Sequence, residues 1–180
     1  MNWIKEIFKD EIVRRYFVVN IFDGVLSVVG ILIALMMGGV FNSRIVIISC
    51  VGAGVAMGIS GLWGAYLIER AERRYSALNK GLEYTKELLA EHLEKSVIIG
   101  LVDGLSPVIV MLFLVAPFFL FSVMTAFYVS FIISIIIIIL LGIFIAKIGR
   151  DNVFHGILKI LSAAVTIVIV IYVLEYLKLV

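Results

Sequence analysis

Hydrophobic positions fall into long, nearly unbroken runs, and this pattern predicts the secondary structure. Polar residues are scarce in four segments, 17–41, 45–68, 97–146 and 153–174. A helix needs about 20 apolar residues to cross a bilayer core of about 30 Å, so three of these segments fit one crossing each. Segment 97–146 would form a helix about 75 Å long, and we expect it to fold back between Pro117 and Thr125.

These runs predict the fold class and the division of the chain. They show no period-two alternation of apolar and polar residues, which excludes a transmembrane β-barrel. The sequence therefore predicts an all-α, polytopic integral membrane protein with five transmembrane helices. Its regions are an amphipathic surface helix over 1–16, helices one and two over 17–68, a charged cytoplasmic helical segment over 69–96, and helices three to five over 97–176.

Composition narrows the class of protein. Hydrophobic residues make up 63% of the 180-residue chain and charged residues 16%, and the mean hydropathy is +1.20. Soluble domains have about 45–50% apolar and about 25% charged residues. A soluble enzyme, a disordered chain and a nucleic-acid-binding domain are therefore excluded. Cys50 is the single cysteine, which excludes an internal disulfide and a multi-cysteine metal site.

Basic residues are unevenly divided between the two predicted faces of the membrane. With five crossings, one face holds the N-terminus and segments 69–96 and 147–152. The basic residues of that face are Lys5, Lys9, Arg14, Arg15, Arg70, Arg73, Arg74, Lys80, Lys86, Lys95, Lys147, Arg150 and Lys159. The other face has Arg44 and Lys178. The N-terminus is therefore predicted to be cytoplasmic and the C-terminus outside.

The first residues, MNWIKEIFKD, do not resemble a signal peptide, because charges recur too often. Apolar residues recur there at helical spacing, with charges between them: Trp3, Ile4, Ile7, Phe8 and Ile12. This pattern predicts a helix that lies on the cytoplasmic membrane surface.

Segment 69–96 is the one long polar stretch, and as a single helix it would have two different faces. The apolar stripe is Tyr75, Leu78, Leu82, Leu89 and Leu93. The acidic face, roughly opposite, is Glu83, Glu87, Glu91 and Glu94. Two interpretations stay open. The carboxylates are either a solvated face with ion pairs such as Glu91 with Lys95, or a ladder that collects divalent cations at the membrane surface.

Two aspartates interrupt the apolar runs in similar surroundings, FDGVLSVVG for Asp23 and VDGLSPVIV for Asp103. A carboxylate near the centre of a bilayer costs at least about 2.5 kcal/mol, so both are candidate functional residues. Asn20 and Ser27 share the helix face of Asp23. The alternative is that each aspartate pairs with a nearby basic residue, namely Arg14 or Arg15 for Asp23 and Lys95 for Asp103.

Asp103 is the candidate for proton coupling. No cation lies within its own apolar run, so desolvation favours the neutral carboxyl and would let it take up and release a proton. Pro107 follows on the same helix and frees a backbone carbonyl, and carbonyls can coordinate cations. Ser106 lies beside them.

The second predicted span is rich in small residues. Gly54 with Gly58, and Ser60 with Gly64, are small-xxx-small pairs that let helices approach closely. We therefore expect a homodimer, with this helix or the first near the two-fold axis. Ser60 is assigned to the transport path with Asn20, Ser27 and Asp103. Met57 is either a packing residue or a soft metal ligand.

Gly58-Ile59-Ser60-Gly61 also fits the GxSG motif around the nucleophile of rhomboid serine proteases. That chemistry needs a histidine base inside the membrane. His92 is predicted outside the membrane and His155 at a helix start near the cytoplasmic face. The sequence therefore predicts no enzyme.

The first two spans resemble a known family of membrane proteins. NIFDGVLSVVGILIALMMGG is similar to the opening helix of the vacuolar iron transporter family, where Asn-Asp-Gly-Leu-Val-Ser is typical. VAMGISGLWGAYLIERAERR is similar to that family's second helix, typically Ala-x-Ser-Met-x-x-Gly-Glu-Tyr. The matching residues are Asp23, Gly24, Ser27, Ser60, Gly64 and Tyr66.

The resemblance implies proton-coupled export of Fe²⁺ or Mn²⁺ from the cytosol by a homodimer in the lipid bilayer, with no permanently bound cofactor. Asp23 would be the intramembrane ligand, and the acidic face of segment 69–96 the cytoplasmic collector. The family methionine falls on Gly61 and the family glutamate on Ala65. Met57 lies one turn earlier and is the candidate substitute on that face.

Two functions of different classes remain as expectations. The first is a divalent-metal transporter working as a proton antiporter. The second is a non-transporting membrane scaffold or sensor whose cytoplasmic helix, within 69–96, binds a partner. Metal uptake into proteoliposomes separates the two.

Overall fold

The computed structural model describes residues 9–83 and 85–177, and every regular element in that part of the chain is a helix. In chain order these are α1 (Glu11–Met37), α2 (Ser43–Asn79), α3 (Lys86–Val115), α4 (Pro117–Leu120), α5 (Val123–Gly149) and α6 (Val153–Tyr176). Five helices are long and apolar enough to cross a membrane, with α4 continuing α3. The predicted all-α class and the five long apolar helices are confirmed.

Polar side chains cap the starts of four helices. Asp10 Oδ1 accepts a hydrogen bond from Ile12 N at 2.8 Å before α1, and Asn152 Oδ1 accepts one from Phe154 N at 2.8 Å before α6. Asn42 caps α2 and Thr85 caps α3 in the same way. Because the first N–H groups of a helix have no partner within it, these side chains determine where the helices begin.

The long apolar run folds back where the sequence predicts. The helix α3 ends at Val115, and the single turn α4 has Pro117 at its first position, where the missing N–H costs nothing. Phe121 is extended, with φ −124°, and α5 begins at Val123. The reversal therefore lies between Pro117 and Thr125.

The bundle is built from two helix pairs joined by α1. The helices α2 and α3 form one antiparallel pair, α5 and α6 form another, and α1 contacts all four. A Cβ atom on Gly104 would lie 2.5 Å from Gly58 O and 2.7 Å from Leu62 Cβ. The helices α2 and α3 therefore approach closely only because residues 58 and 104 are both glycine. We call the end with the start of α1, the α2–α3 turn and the α5–α6 turn the basic end.

The core lies where α1 meets the α3 and α5 helices. Val28 and Leu32 of α1 and Leu114 of α3 are fully buried. Phe127 of α5 packs edge-on against Phe118, with ring centroids 5.1 Å apart. Close packing of this kind is what holds helices together in a bilayer, because lipid tails remove the usual hydrophobic driving force.

Segment 69–96 is two helical arms, which corrects the prediction of a single helical face. The first arm is the end of α2, up to Asn79, and the second is the start of α3, from Lys86. Gly81 between them has φ +67°, a conformation that favours glycine. The turn breaks the helical register, so Glu83 does not continue the acidic face of the residues that follow it.

The predicted surface helix over 1–16 is also corrected in part. Residues 1–8, with Trp3, Ile4, Ile7 and Phe8, lie outside the described residues. Residues 11–16, including Ile12, are the first turns of α1 and continue into the first span without a break. The cap at Asp10 favours one helix starting at Glu11.

Candidate functional site

A groove of about 880 Å³ lies between α1, α2 and α3 in the apolar part of the bundle. Six of the residues that the sequence singles out line it: Asn20, Asp23, Ser27, Met57, Ser60 and Asp103. They come from three helices that are distant in sequence. The fold therefore brings the predicted intramembrane polar residues to one surface, which we call the groove.

Asp103 is held in place by the first helix. It is 6% exposed, and its Oδ1 accepts a hydrogen bond from Asn20 Nδ2. The same nitrogen donates to Tyr16 O at 2.9 Å. Lys95 instead contacts Glu91, with Nζ and Oε1 2.6 Å apart. The alternative that Asp103 pairs with Lys95 is therefore wrong.

Asp23 has a different environment in the same groove. Its side chain is exposed to the groove, and within the described residues no ion pair joins it to a cation. Arg14, one of its two expected partners, donates to Lys9 O at 2.6 Å. Among the described residues, neither Arg14 nor Arg15 forms an ion pair with Asp23. The alternative that one of them neutralises Asp23 is therefore wrong.

In both Asp-Gly pairs, the glycine lies in close contact with a neighbouring helix. A Cβ on Gly24 would lie 2.9 Å from Pro107 Cα, so α1 meets α3 at this glycine. Gly104 meets α2 in the same way, at Gly58. Each glycine lets its helix lie against a neighbour, and the aspartate before it then lines the groove.

The two positions at which vacuolar iron transporters typically have methionine and glutamate, Gly61 and Ala65 here, also lie on the groove. Gly61 and Ala65 both line it, and Met57 lines it one turn from Gly61. Ala65 is buried. Met57, Asp23 and Asp103 therefore line one cavity, and a metal site that they share would need this arrangement.

Sequence reasoning missed a buried polar cluster at the basic end of the groove. Glu69 of α2 is 8% exposed. Its Oε2 lies 3.3 Å from Arg73 Nη2, and the hydroxyl of Tyr16 of α1 lies beside this carboxylate. Tyr16 itself lines the groove. The spacing of Glu69 and Arg73 at i and i+4 was the available signal, but burial was not visible in the sequence.

The predicted acidic face is divided between the turn, which holds Glu83, and the α3 arm, which holds the other three glutamates. Glu83, Glu87, Glu91 and Glu94 are all exposed, and none lines the groove. The hydrogen bond from Lys95, together with its charge, lowers the pKa of Glu91, which is the behaviour of a solvated ion pair. Glu91 and Glu94 line a separate cavity of about 400 Å³ with Asp10.

No cluster of three or more His, Cys, Asp or Glu side chains that could hold a metal ion occurs within 9–83 and 85–177. A single chain therefore offers two carboxylates, Asp23 and Asp103, to the groove. Neutral oxygen donors beside them are the side chains of Asn20, Ser27 and Ser60.

Comparison with known proteins adds a relative but no activity. No family model matches the chain, and no solved structure matches it. The uncharacterized protein MJ0645 of Methanocaldococcus jannaschii is 33% identical over 169 residues, which is 89% of this chain and 87% of the relative. The chain belongs to the MJ0645 family. The name MJ0645 states no activity, so the function of this family member has to be argued from the groove.

Proposed function

We propose that the protein is a divalent-cation transporter that moves Fe²⁺ or Mn²⁺ out of the cytosol in exchange for protons. The observation that carries this proposal is the groove with two carboxylates, Asp23 and Asp103, between apolar helices. Carboxylates in hydrocarbon cost at least about 2.5 kcal/mol each near the bilayer centre. Ionisable side chains that are kept inside a bilayer at this cost typically mark an ion path.

The donor atoms of the groove fit a divalent cation. Carboxylate, amide and hydroxyl oxygens suit Mn²⁺, and a thioether such as that of Met57 suits softer metals. Asp23 is the residue that meets the cation, because its carboxylate is exposed in the groove. Asp103 is the proton-coupling carboxylate. Asn20, Ser27 and Ser60 complete the path, and the likeness of α1 and α2 to vacuolar iron transporters supports the same assignment.

We assign the basic end to the cytoplasm. The positive residues of the loops concentrate there, and positive loops stay on the cytoplasmic side during insertion. The C-terminus would then lie outside. Glu69 and Tyr16, at the basic end of the groove, would lie where a cytosolic cation arrives.

We further propose that the protein works as a homodimer. Asp23, Ser27 and Ser60 are exposed in a single chain, and in a bilayer they would face lipid unless another surface covers them. A Cβ on Gly64 would have nothing within 4 Å, so this side of α2 is open to a partner. A two-fold axis along the groove would add a second Asp23 to the first.

Cation flux into proteoliposomes tests this function. Purified protein is reconstituted with a pH gradient, and entry of Mn²⁺ or Fe²⁺ is followed with a trapped metal-sensitive dye. We expect uptake that is faster than in protein-free liposomes and that falls when the pH gradient is collapsed. Flux equal to that of protein-free liposomes for both cations would contradict the proposal.

One observation favours the second candidate function, a scaffold or sensor. Tyr75 and Leu78 on the α2 arm and Leu82 in the turn after it are each exposed by about half or more of their surface. An exposed apolar stripe of this kind is typical of a surface that binds a partner helix. A protein without cation flux whose arms bind a specific partner would support this second function instead.

A further inference from the structure

We infer that the protein binds an anionic phospholipid in a crevice between α2 and α3, with an acyl chain against the two helices and the phosphate at Arg70. This inference does not depend on transport, nor on which side of the membrane the basic end faces. It assigns a lipid ligand to a surface that the proposed ion path does not use.

The crevice has a volume of about 240 Å³ and lies beside the contact between α2 and α3. Its lining residues are Leu62, Trp63, Tyr66, Val97, Gly100 and Leu101. A Cβ on Gly100 would lie 2.7 Å from Leu62 O, so the two helices touch at the base of the crevice. The side chains of this lining are apolar or aromatic, and a hydrocarbon chain can therefore lie there without desolvating a charged group.

The crevice and the groove are separate surfaces. They share no lining residue, because they lie on either side of the contact between α2 and α3. A second copy of the chain over the groove would therefore leave the crevice open to lipid.

Two aromatic residues place one end of the crevice at the membrane surface. Trp63 is 62% exposed, and its ring centroid lies 6.3 Å from that of Tyr66. The apolar run of α2 ends at Ile68, and the next residue is Glu69. Tryptophan and tyrosine are enriched where hydrocarbon meets the lipid headgroups. The crevice therefore begins in the hydrocarbon layer and ends at headgroup level.

Arg70 carries a positive charge at this headgroup end. Its Nη1 donates to the Tyr66 hydroxyl oxygen at 3.3 Å, which holds the guanidinium beside the crevice. Arg70 is exposed and forms no ion pair within the described residues. Arg74 follows one turn later on the same helix face. A guanidinium binds a phosphate group through two parallel N–H bonds.

The nearby carboxylates do not cancel this charge. On α2, Glu69 is buried and Glu72 lies on the opposite helix face. On α3, Glu91 forms an ion pair with Lys95, and Glu94 lines a different cavity. Basic pockets between membrane helices bind anionic headgroups, so the charge around the crevice favours an anionic lipid over a zwitterionic one.

Quenching of Trp63 fluorescence by brominated lipids tests the inference. The chain has two tryptophans, so full-length protein with Trp3→Phe leaves Trp63 as the single fluorescent indole. This parent protein is reconstituted in phosphatidylcholine bilayers that contain a rising fraction of brominated phosphatidylglycerol or, in a parallel series, of brominated phosphatidylcholine. We expect half-maximal quenching at an about fivefold lower fraction of the anionic lipid, the effect of roughly one basic residue at an anionic headgroup.

Two matched variants locate the phosphate. Arg70→Gln removes the charge beside the crevice, and we expect both lipids to quench it equally. Lys147→Gln removes one exposed positive charge at the same end of the bundle, in the last turn of α5. That variant should keep the preference for phosphatidylglycerol.

Each contrary outcome overturns the inference. Equal quenching of the parent protein by both lipids excludes a preference for an anionic headgroup. A preference that survives in Arg70→Gln, or that is lost equally in Lys147→Gln, excludes a phosphate bound at Arg70. Quenching by neither lipid shows that protein covers the crevice.

A second measurement does not need the Trp3→Phe substitution. If that parent protein does not fold, native mass spectrometry compares the phosphatidylglycerol that stays bound to wild type and to Arg70→Gln. We expect wild type to retain more of this lipid. Equal retention by the two proteins overturns the inference, and none of these results bears on cation flux.

Discussion

Asp23 and Asp103 line one groove, yet their immediate surroundings differ. Asp103 is buried and is oriented by Asn20, whose amide nitrogen also bonds to Tyr16 O. Asp23 is exposed in the groove and makes no ion pair with the described residues. At the scale of single residues, Asp103 therefore has a fixed orientation, whereas the Asp23 carboxylate is open to the groove.

Replacing Asp23 tests its role. Asp23→Asn keeps the shape and removes the charge, so we expect cation uptake into proteoliposomes to fall by more than about tenfold, as when a metal site loses an important contact. Glu72→Gln, at an exposed position on the α2 arm, is the control and should leave uptake unchanged. Uptake at the wild-type rate in Asp23→Asn would exclude Asp23 from the cation path.

At the scale of elements, glycines determine how close the helices lie. The glycines of α2 serve two faces: Gly54, Gly58 and Gly61 face α3, whereas Gly52 has no atom within 4 Å of a built Cβ. The sequence pattern predicted close helix approach but did not show that the partner is α3 of the same chain. This contact is what holds Asp103 beside α2.

Two alanine variants test which glycines make a close helix contact, and the quantity measured is the free energy of unfolding. Gly104→Ala would place its Cβ 2.5 Å from Gly58 O, so we expect it to lower the free energy of unfolding in detergent by about 1–3 kcal/mol. Gly52→Ala meets open space and should be neutral or stabilising by up to about 1 kcal/mol, because alanine favours helix. Equal stability of both variants would contradict the close α2–α3 contact.

The contact between the Tyr16 hydroxyl and the Glu69 carboxylate joins α1 to α2 at the basic end. Tyr16→Phe removes the hydroxyl alone and leaves a buried carboxylate with one partner fewer, so we expect a loss of about 1 kcal/mol in unfolding free energy. In Tyr66→Phe, the control, the lost bond is the exposed one from Arg70 Nη1, at 3.3 Å. That variant should change stability little. A Tyr16→Phe protein as stable as wild type would show that Glu69 does not depend on α1.

At the scale of the whole molecule, the groove is open along one side. Asp23, Ser27 and Ser60 are exposed there, and a bilayer would leave these polar groups against lipid. The proposed second copy of the chain over the groove would remove this cost. The same surface that would form the dimer would thus also complete the ion path.

Disulfide crosslinking in membranes tests the dimer. A cysteine at Ala56, exposed and on the groove, should form a crosslinked dimer on mild oxidation. A cysteine at Phe113, exposed but away from the groove lining, should not. The native Cys50 is fully buried and should not contribute. Equal crosslinking at both positions, or monomer alone in both, would contradict a dimer that covers the groove.

The sequence by itself determined the number of long apolar helices, the reversal between Pro117 and Thr125, and the identity of the polar residues within those helices. These follow from hydrophobic length and from the high cost of charge in hydrocarbon, which are both properties of local sequence. The resemblance to vacuolar iron transporters and the cytoplasmic orientation stay predictions. The prediction of a single helical face over 69–96 was wrong, because the turn at Gly81 interrupts the helix and changes the register of the residues that follow it.

The tertiary structure alone decided which of these residues meet. Helix packing places Asp103 against Gly61 and Asn20, and buries Glu69 beneath Tyr16. Both arrangements depend on where α1, α2 and α3 touch, and that depends on glycines whose partners are distant in sequence. Periodicity shows which face of a helix is polar or small, but the neighbour that fills that face is chosen by the packing of the whole bundle.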